Sequence, residues 1–179
     1  CRLGILMTKL INFALFQAGW FLAVILQTPW ALLWAGLFVA LHIRFYTEVH
    51  RWQPLLLVSA LGLAIDLAWQ WSGLIHFDGP GLYMPYWLIA LWLIFPLTLQ
   101  HSLSWLTGKP LLQAFFGVIG GGGSYWAGTR LGAATTDTLG ISLVALMWGL
   151  WLPLFYWLLE RLNHWPGAVL PRSTQSADR

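Results

Sequence analysis

The sequence is poor in the residues from which covalent cross-links and metal sites are built. Its 179 residues include a single cysteine, Cys1, which excludes an internal disulfide and a zinc site made of cysteines. Neither H-x-x-x-H nor E-x-x-H occurs, so the common helical spacings of metal ligands are missing. A signature of a serine nucleophile is missing as well. These absences point away from metalloenzymes and serine hydrolases.

Charged residues are equally scarce, and this scarcity decides the fold class. They make up 8% of the chain, whereas a soluble domain has about 25%. Lys and Arg stand singly between apolar stretches, which excludes nucleic-acid binding. Hydrophobic residues make up 59% and the mean hydropathy is +0.69. A soluble fold of this length cannot bury so much apolar surface, so the sequence predicts a helical integral membrane protein.

Apolar stretches separated by turn signals predict an all-α bundle of six transmembrane helices, because a span needs about 20 mostly apolar residues. The predicted spans are Leu10–Gln27, Trp30–Ile43, Pro54–Ile75, Met84–Leu106, Leu111–Leu131 and Leu139–Leu159. They form one transmembrane domain over residues 10–162, between an N-terminal tail, 1–9, and a disordered cytoplasmic tail, 163–179. Residues 1–6 are expected to precede the true start of the protein at Met7.

The distribution of basic residues predicts the orientation of the bundle. With the N-terminus in the cytoplasm, the inner segments hold eight basic residues and the outer segments hold only Arg130. The eight inner residues are Arg2, Lys9, Arg44, Arg51, Lys109, Arg161, Arg172 and Arg179. Because cytoplasmic loops carry the excess of Lys and Arg, both termini are predicted to lie inside.

Asp66 is the most informative polar residue, because it lies near the middle of the third predicted span, where a bare carboxylate is costly. Small or polar residues recur around it at helical spacing and should face the bundle interior: Ser59, Gly62, Asp66, Gln70 and Gly73. Two interpretations stay open. Asp66 is a catalytic or ion-binding group, with Gln70 in the wall of a substrate site, or it is a hydrogen-bonded carboxyl that fixes the helix register.

His101 is the second candidate catalytic residue and lies toward the cytoplasmic end of the fourth predicted span. Pro96, just before it, should displace the carbonyl of Trp92 and bend the helix. A bent helix with a freed carbonyl beside a histidine is typical of the wall of a site, so Trp92 is a candidate substrate-binding residue. The alternative is an ordinary hydrogen bond from His101 to a neighbouring helix.

Two amides and a second histidine are predicted at a similar depth. Gln17 and Gln100 are candidate substrate-binding residues that can join His101 in one polar cluster. His42, near the inner end of the second span, lies at that depth too. His42 and His101 can in principle ligate a haem between helices, although the sequence has no other sign of haem. No metal site is predicted.

The fifth span has a face of small residues that predicts close helix packing: Gly117, Gly121, Ser124 and Gly128. Gly117 and Gly121 make a G-x-x-x-G pair, which lets two helix backbones approach each other. The expected contact is inside one chain. A dimer face, or a broken helix whose backbone lines a site, are the alternatives.

Three short motifs carry a resemblance to a known family: 16–21 (FQAGWF), 87–92 (WLIALW) and 99–103 (LQHSL). The chain resembles, from Met7 to about Leu162, an uncharacterised family of bacterial inner-membrane proteins, domain-of-unknown-function family 2878. The resemblance implies a location in the inner membrane and brings no established reaction. It also implies an association with gene neighbourhoods for fatty-acid modification and photooxidative stress, which favours lipid chemistry by analogy.

The leading prediction is a multi-pass protein of the bacterial inner membrane that binds or modifies a lipid or other lipophile. The polar wall of its cavity would be formed by Asp66, Gln70, Gln17, Gln100 and His101. A small-solute or ion transporter is the second prediction, and a non-catalytic accessory subunit is the third. Expected partners are membrane lipids, a small lipophilic ligand, and a second copy or another membrane protein. Whether the chain is an enzyme is not decided by these patterns.

Overall fold

The structure, a computed structural model, describes residues 2–45 and 52–163 and is almost entirely helical in that part of the chain. The α-helices are α1 Arg2–Leu26, α2 Trp30–Phe45, α3 Trp52–Trp71, α4 Tyr86–Gln100, α5 Pro110–Phe116, α6 Gly123–Arg130 and α7 Thr138–Asn163. A π-helical segment, Gly117–Gly122, joins α5 to α6 without a break. The prediction of an all-α fold is therefore confirmed, while the predicted tail after Asn163 lies outside the described residues.

Helix α4 is the central helix of the bundle. Its residues are apolar on every side, as expected of a helix that neither water nor lipid surrounds. Ten of its residues are buried, whereas Leu93 is exposed. Helices α1, α2 and α3 pack directly against α4, and α7 packs against α3 and against the continuous helix 110–130. The position of α4 brings its side chains into contact with both halves of the bundle.

Three helices of the described chain are long and apolar enough to cross a membrane: Leu6–Leu26, Trp52–Trp71 and Thr138–Asn163. Two shorter apolar helices, Trp30–Arg44 and Tyr86–Gln100, accompany them. Large apolar side chains are exposed along these helices, including Leu33, Leu146 and Leu150. The exposed surface of the bundle is therefore apolar, as a membrane protein requires.

The connections between helices gather at two opposite ends of the bundle. At one end, a short antiparallel sheet pairs β1 His76–Phe77 with β2 Ala134–Thr135. The Gln27 amide donates to the Gly132 carbonyl at 2.9 Å, so the α1–α2 connection joins this end, here called the sheet end. Three connections that are far apart in sequence are thus held together there.

The other end carries Lys9, Lys109 and Arg161 and is here called the basic end. The Lys9 ammonium donates to the Ser104 hydroxyl at 2.8 Å. The Gly108 N–H donates to the Glu160 carboxylate at 3.3 Å. The start of α1, the connection after α4 and the end of α7 therefore lie on the same side of the molecule.

Several helix boundaries differ from the predicted ones. Helix α1 begins at Arg2, so the described part of the predicted N-terminal tail is helical. Helix α3 ends at Trp71 and not near Ile75, because Gly73 takes a left-handed conformation, with φ +75°, and closes the helix. Helix α4 ends at Gln100, where the Leu103 N–H turns back to the Thr98 carbonyl at 2.8 Å. The predicted fourth span is therefore a helix followed by a turn and a short 3₁₀ helix.

Candidate functional site

Asp66 is fully buried and both of its carboxyl oxygens accept hydrogen bonds. The Trp92 indole N–H donates to Oδ2 at 2.6 Å, and the Tyr125 hydroxyl donates to Oδ1 at 2.6 Å. These bonds connect α3 to α4 and α6. The polar atoms of Asp66 are thus satisfied within the chain, as a buried carboxyl requires.

The predicted stripe on α3 holds Trp92 at three successive turns. The Ser59 hydroxyl lies 2.7 Å from the Trp92 carbonyl oxygen, which Pro96 frees from the helix. A methyl group at Gly62 would overlap the Trp92 indole ring, so glycine is required there by close approach. Asp66 then binds the indole N–H. The Ser59 hydroxyl also lies 3.1 Å from the Leu55 carbonyl oxygen, so its one proton is shared between the two carbonyls, and a place for the Trp92 carbonyl in the wall of a site stays a prediction.

Aromatic rings close the space around Asp66 and Trp92. The Trp148 indole stacks on Trp92 with ring centroids 5.8 Å apart and an interplanar angle of 8°. Phe155 meets Trp92 edge to face at 5.9 Å. The remaining gap among these rings leaves no room for a water molecule. We call Asp66, Trp92, Tyr125 and Trp148 the aspartate cluster. Its closed packing gives a substrate no access to the carboxyl.

Gln70, predicted beside Asp66, has a different role. Its amide nitrogen donates to the Tyr83 carbonyl at 2.9 Å, and its amide oxygen accepts from the Phe77 N–H at 3.4 Å. It therefore fastens the loop between α3 and α4 at the sheet end. A place for Gln70 in the wall of a cavity around Asp66 is not supported.

A second group of polar residues lies near the basic end, between α1, α2 and α4. His42 is buried, and its ring meets the ring of His101 edge to face with centroids 5.9 Å apart. Asn12 is 1% exposed and its Oδ1 atom has no hydrogen-bond partner. The Oε1 and Nε2 atoms of Gln100 are likewise buried and have no hydrogen-bond partner. We call Asn12, His42, Gln100 and His101 the amide–histidine cluster.

The register of the helices places these four residues at one depth. Helices α1 and α4 run antiparallel, with Lys9 bonded to Ser104 and the ring of Phe16 6.1 Å from that of Phe95. Asn12 and Gln100 lie between these two contacts and therefore at about the same level along the helices. The contact between the histidine rings brings α2 to the same level. Among the described residues, the buried amide atoms without a partner all belong to this cluster.

The two clusters lie apart in the bundle, whereas the sequence predicted one common cavity. Gln100 lies eight residues after Trp92, or about 12 Å along α4. Gln17 lies five residues after Asn12, about 140° further around α1, so it does not share the face of Asn12. The predicted grouping of Gln100, His101 and His42 is present, but Asp66, Gln70 and Gln17 do not belong to it.

The small face of the fifth helix packs against α7 of the same chain. A methyl group at Gly117 would overlap the backbone of Trp148, and one at Gly121 would overlap its indole ring. The Ser124 hydroxyl donates to the Gly121 carbonyl at 2.6 Å. At Gly128, however, a methyl group would meet nothing within 4 Å, so close packing does not extend to that residue. The face around Gly117 and Gly121 is thus occupied and is not available to a partner.

Tyr125 and Asn12 were not identified from the sequence. Tyr125 follows Gly121 by four residues and Gly117 by eight, so the spacing that marked the small face also pointed to it. Asn12 is a single amide in an apolar helix, and only the packing of α1 shows that it faces inward. His42 and His101 contact each other directly, and the haem hypothesis stays an untested prediction.

The family comparison agrees with the resemblance carried by the three motifs. The family described as "Protein of unknown function (DUF2878)" matches residues 9–154, which is most of the chain, so the chain belongs to this family. Comparison with curated proteins and with solved structures gives no match.

Proposed function

We propose that this member of the DUF2878 family crosses the bacterial inner membrane six times with both termini inside. Three long apolar helices, two shorter ones and the continuous helix 110–130 supply six segments. Contacts at the sheet end join the first, third and fifth connections, as an up-and-down bundle requires. Lys9, Lys109 and Arg161 lie at the opposite end, which is the cytoplasmic one by the positive-inside rule.

Cysteine labelling tests this topology. Cys1 is the one cysteine of the sequence, so Cys1→Ser provides a clean background. A membrane-impermeant thiol reagent added to intact spheroplasts should label Asp137→Cys at the sheet end and leave Thr107→Cys at the basic end unlabelled. Labelling of Thr107→Cys in intact spheroplasts would contradict the proposed orientation.

The function that the geometry supports best is binding of a membrane lipid or other lipophile at the amide–histidine cluster. The observation that carries the proposal is the presence of buried, unpartnered amide atoms on Asn12 and Gln100 inside an apolar bundle. Each such atom costs about 1–3 kcal/mol, and a bound molecule with matching polar groups removes that cost. In a membrane, the surrounding lipids are the most abundant molecules that carry both polar groups and apolar chains.

The aspartate cluster has a structural role in this proposal. Both oxygens of Asp66 are already bonded, and stacked rings close the space beside them. Asp66 therefore holds α3, α4 and α6 together, and the bundle that they form keeps the amide–histidine cluster away from water. The structural interpretation of Asp66 is the one that we adopt.

Native mass spectrometry of the purified protein tests lipid binding. The delipidated protein, supplied with total bacterial lipid, should retain one lipid per chain in a saturable manner. The double variant Asn12→Leu/Gln100→Leu should retain far less. Gln113→Leu is the matched control, because Gln113 is a buried glutamine whose amide donates to the Leu106 carbonyl at 2.8 Å. Equal retention by the double variant and the wild-type protein would contradict the proposal.

A further inference from the structure

We infer that the ligand of the amide–histidine cluster is an anionic lysophospholipid, whose free glycerol hydroxyl binds Asn12 and Gln100 and whose phosphate lies beside Lys9. This inference rests on the proposed function and specifies the ligand class for the same site. It follows from three features: the hydrogen-bonding capacity of the cluster, its charge and its depth.

The hydrogen-bonding capacity requires a ligand that both donates and accepts. Oδ1 of Asn12 and Oε1 of Gln100 are acceptors that lack a donor. Nε2 of Gln100 is a donor that lacks an acceptor. A hydroxyl group donates one hydrogen bond and accepts others, so it can pair with one of the two amide oxygens and with Nε2 of Gln100 at the same time. An ester oxygen only accepts and leaves the two amide oxygens without partners.

The charge around the cluster selects a negative group. Lys9 lies one helical turn before Asn12, and its ammonium, with three donors, gives one of them to the neutral Ser104 hydroxyl. Arg44 follows His42 by two residues on α2. Among the described residues at this end, the acidic side chain is Glu160. Its carboxylate accepts a hydrogen bond from the Gly108 N–H. A phosphate at the level of Lys9 therefore meets positive charge, whereas a cationic headgroup is repelled.

The depth of the cluster distinguishes a lysophospholipid from an ordinary diacyl lipid. Asn12 lies three residues further into the bundle than Lys9, which is about 4.5 Å along the helix axis. With the phosphate beside Lys9, the glycerol carbons of the lipid reach the level of Asn12 and Gln100. A diacyl phospholipid has only ester oxygens on the remaining two glycerol carbons. A lysophospholipid has a free hydroxyl there, and this hydroxyl supplies the missing donor.

Binding of defined lipids to the full-length protein in nanodiscs tests the inference. The probes are palmitoyl lysophosphatidylglycerol, diacyl phosphatidylglycerol and palmitoyl lysophosphatidylcholine, each added to the nanodisc bilayer at the same mole fraction and followed by native mass spectrometry. We expect lysophosphatidylglycerol to bind at least about tenfold more tightly than either of the others, the size expected when buried hydrogen bonds or a charge contact are lost. Soluble glycerol 3-phosphate should not displace it.

Variants assign the two contacts. Asn12→Leu/Gln100→Leu should remove the preference for the lysolipid over the diacyl lipid, and Lys9→Gln should remove the preference for lysophosphatidylglycerol over lysophosphatidylcholine. Gln113→Leu should keep both preferences. Each variant is compared only if it elutes as a monodisperse species. If the double variant does not fold, the single variants Asn12→Leu and Gln100→Leu replace it, and each should weaken the preference for the lysolipid over the diacyl lipid.

The possible results separate this inference from the proposed function. Saturable binding of diacyl phosphatidylglycerol that equals or exceeds that of the lysolipid, and that Asn12→Leu/Gln100→Leu weakens, would overturn the inference and leave lipid binding intact. Displacement of the lysolipid by glycerol 3-phosphate would identify a water-soluble ligand instead and would also overturn it. Absence of saturable binding by any lipid would overturn both.

Discussion

Replacing Asp66 tests whether its carboxyl braces the bundle, and two substitutions should behave differently. Asp66→Leu removes both acceptors and leaves the Trp92 N–H and the Tyr125 hydroxyl buried without partners. At about 1–3 kcal/mol for each stranded group, the free energy of unfolding should fall by about 2–6 kcal/mol. In Asp66→Asn, the amide oxygen can accept from Trp92 while the amide nitrogen donates to the Tyr125 hydroxyl oxygen. Only the Tyr125 hydroxyl proton then lacks an acceptor, so the loss should be about 1–3 kcal/mol, half of that for Asp66→Leu.

The measurement is unfolding in mixed micelles, followed by tryptophan fluorescence, because the bundle contains many indoles next to Asp66. Tyr125→Phe, alone and combined with Asp66→Leu, completes a double-mutant cycle whose coupling energy should be about 1–3 kcal/mol. Asp78→Asn serves as the control at a partly exposed carboxyl and should change stability by no more than about 0.5 kcal/mol. If Asp66→Leu is as stable as the wild type, or Asp66→Asn loses as much as Asp66→Leu, the bracing role is refuted. Lipid retention by a folded Asp66→Asn should equal that of the wild type.

Further substitutions test the packing of the bundle by the same unfolding assay. Gly121→Ala should destabilise the protein by about 1–3 kcal/mol because the added methyl group overlaps Trp148. Gly128→Ala, with open space around the added methyl group, should be neutral or stabilising by up to about 1 kcal/mol. Equal effects at the two glycines would contradict the packing. Ser59→Ala leaves the Trp92 carbonyl without its donor and should cost about 1–3 kcal/mol; no loss would mean that the carbonyl is satisfied in another way.

The fold class and much of the helix order could be predicted from the sequence. Long apolar runs leave few alternatives when charge is so scarce, and Gly-Pro-rich turns mark most of the connections. The pairing of β1 with β2 could not be predicted, because two-residue strands carry no periodic signal. The end of α4 at Gln100 was missed for a similar reason, since the apolar pattern continues into the following turn.

The candidate site was predicted only in part, because the sequence gives the depth of a polar residue but not its partner. Depth alone grouped Gln17 with Gln100 and His101, although Gln17 lies on another face of α1. The stripe around Asp66 was found from its spacing, yet its partner Tyr125 comes from a helix that contains a π-helical segment, whose geometry the sequence does not specify. Whether a buried amide is bonded within the chain, like Gln113, or unpartnered, like Gln100, depends on packing across several helices.

The most direct test of the account is a density map of the protein in nanodiscs at a resolution that shows individual lipids. Lipid binding at the amide–histidine cluster predicts an elongated non-protein density between α1, α2 and the end of α4, with a polar group within hydrogen-bond distance of Asn12 Oδ1 and the Gln100 amide. Isolated water molecules at that position, or a direct bond between the two amides, would contradict it.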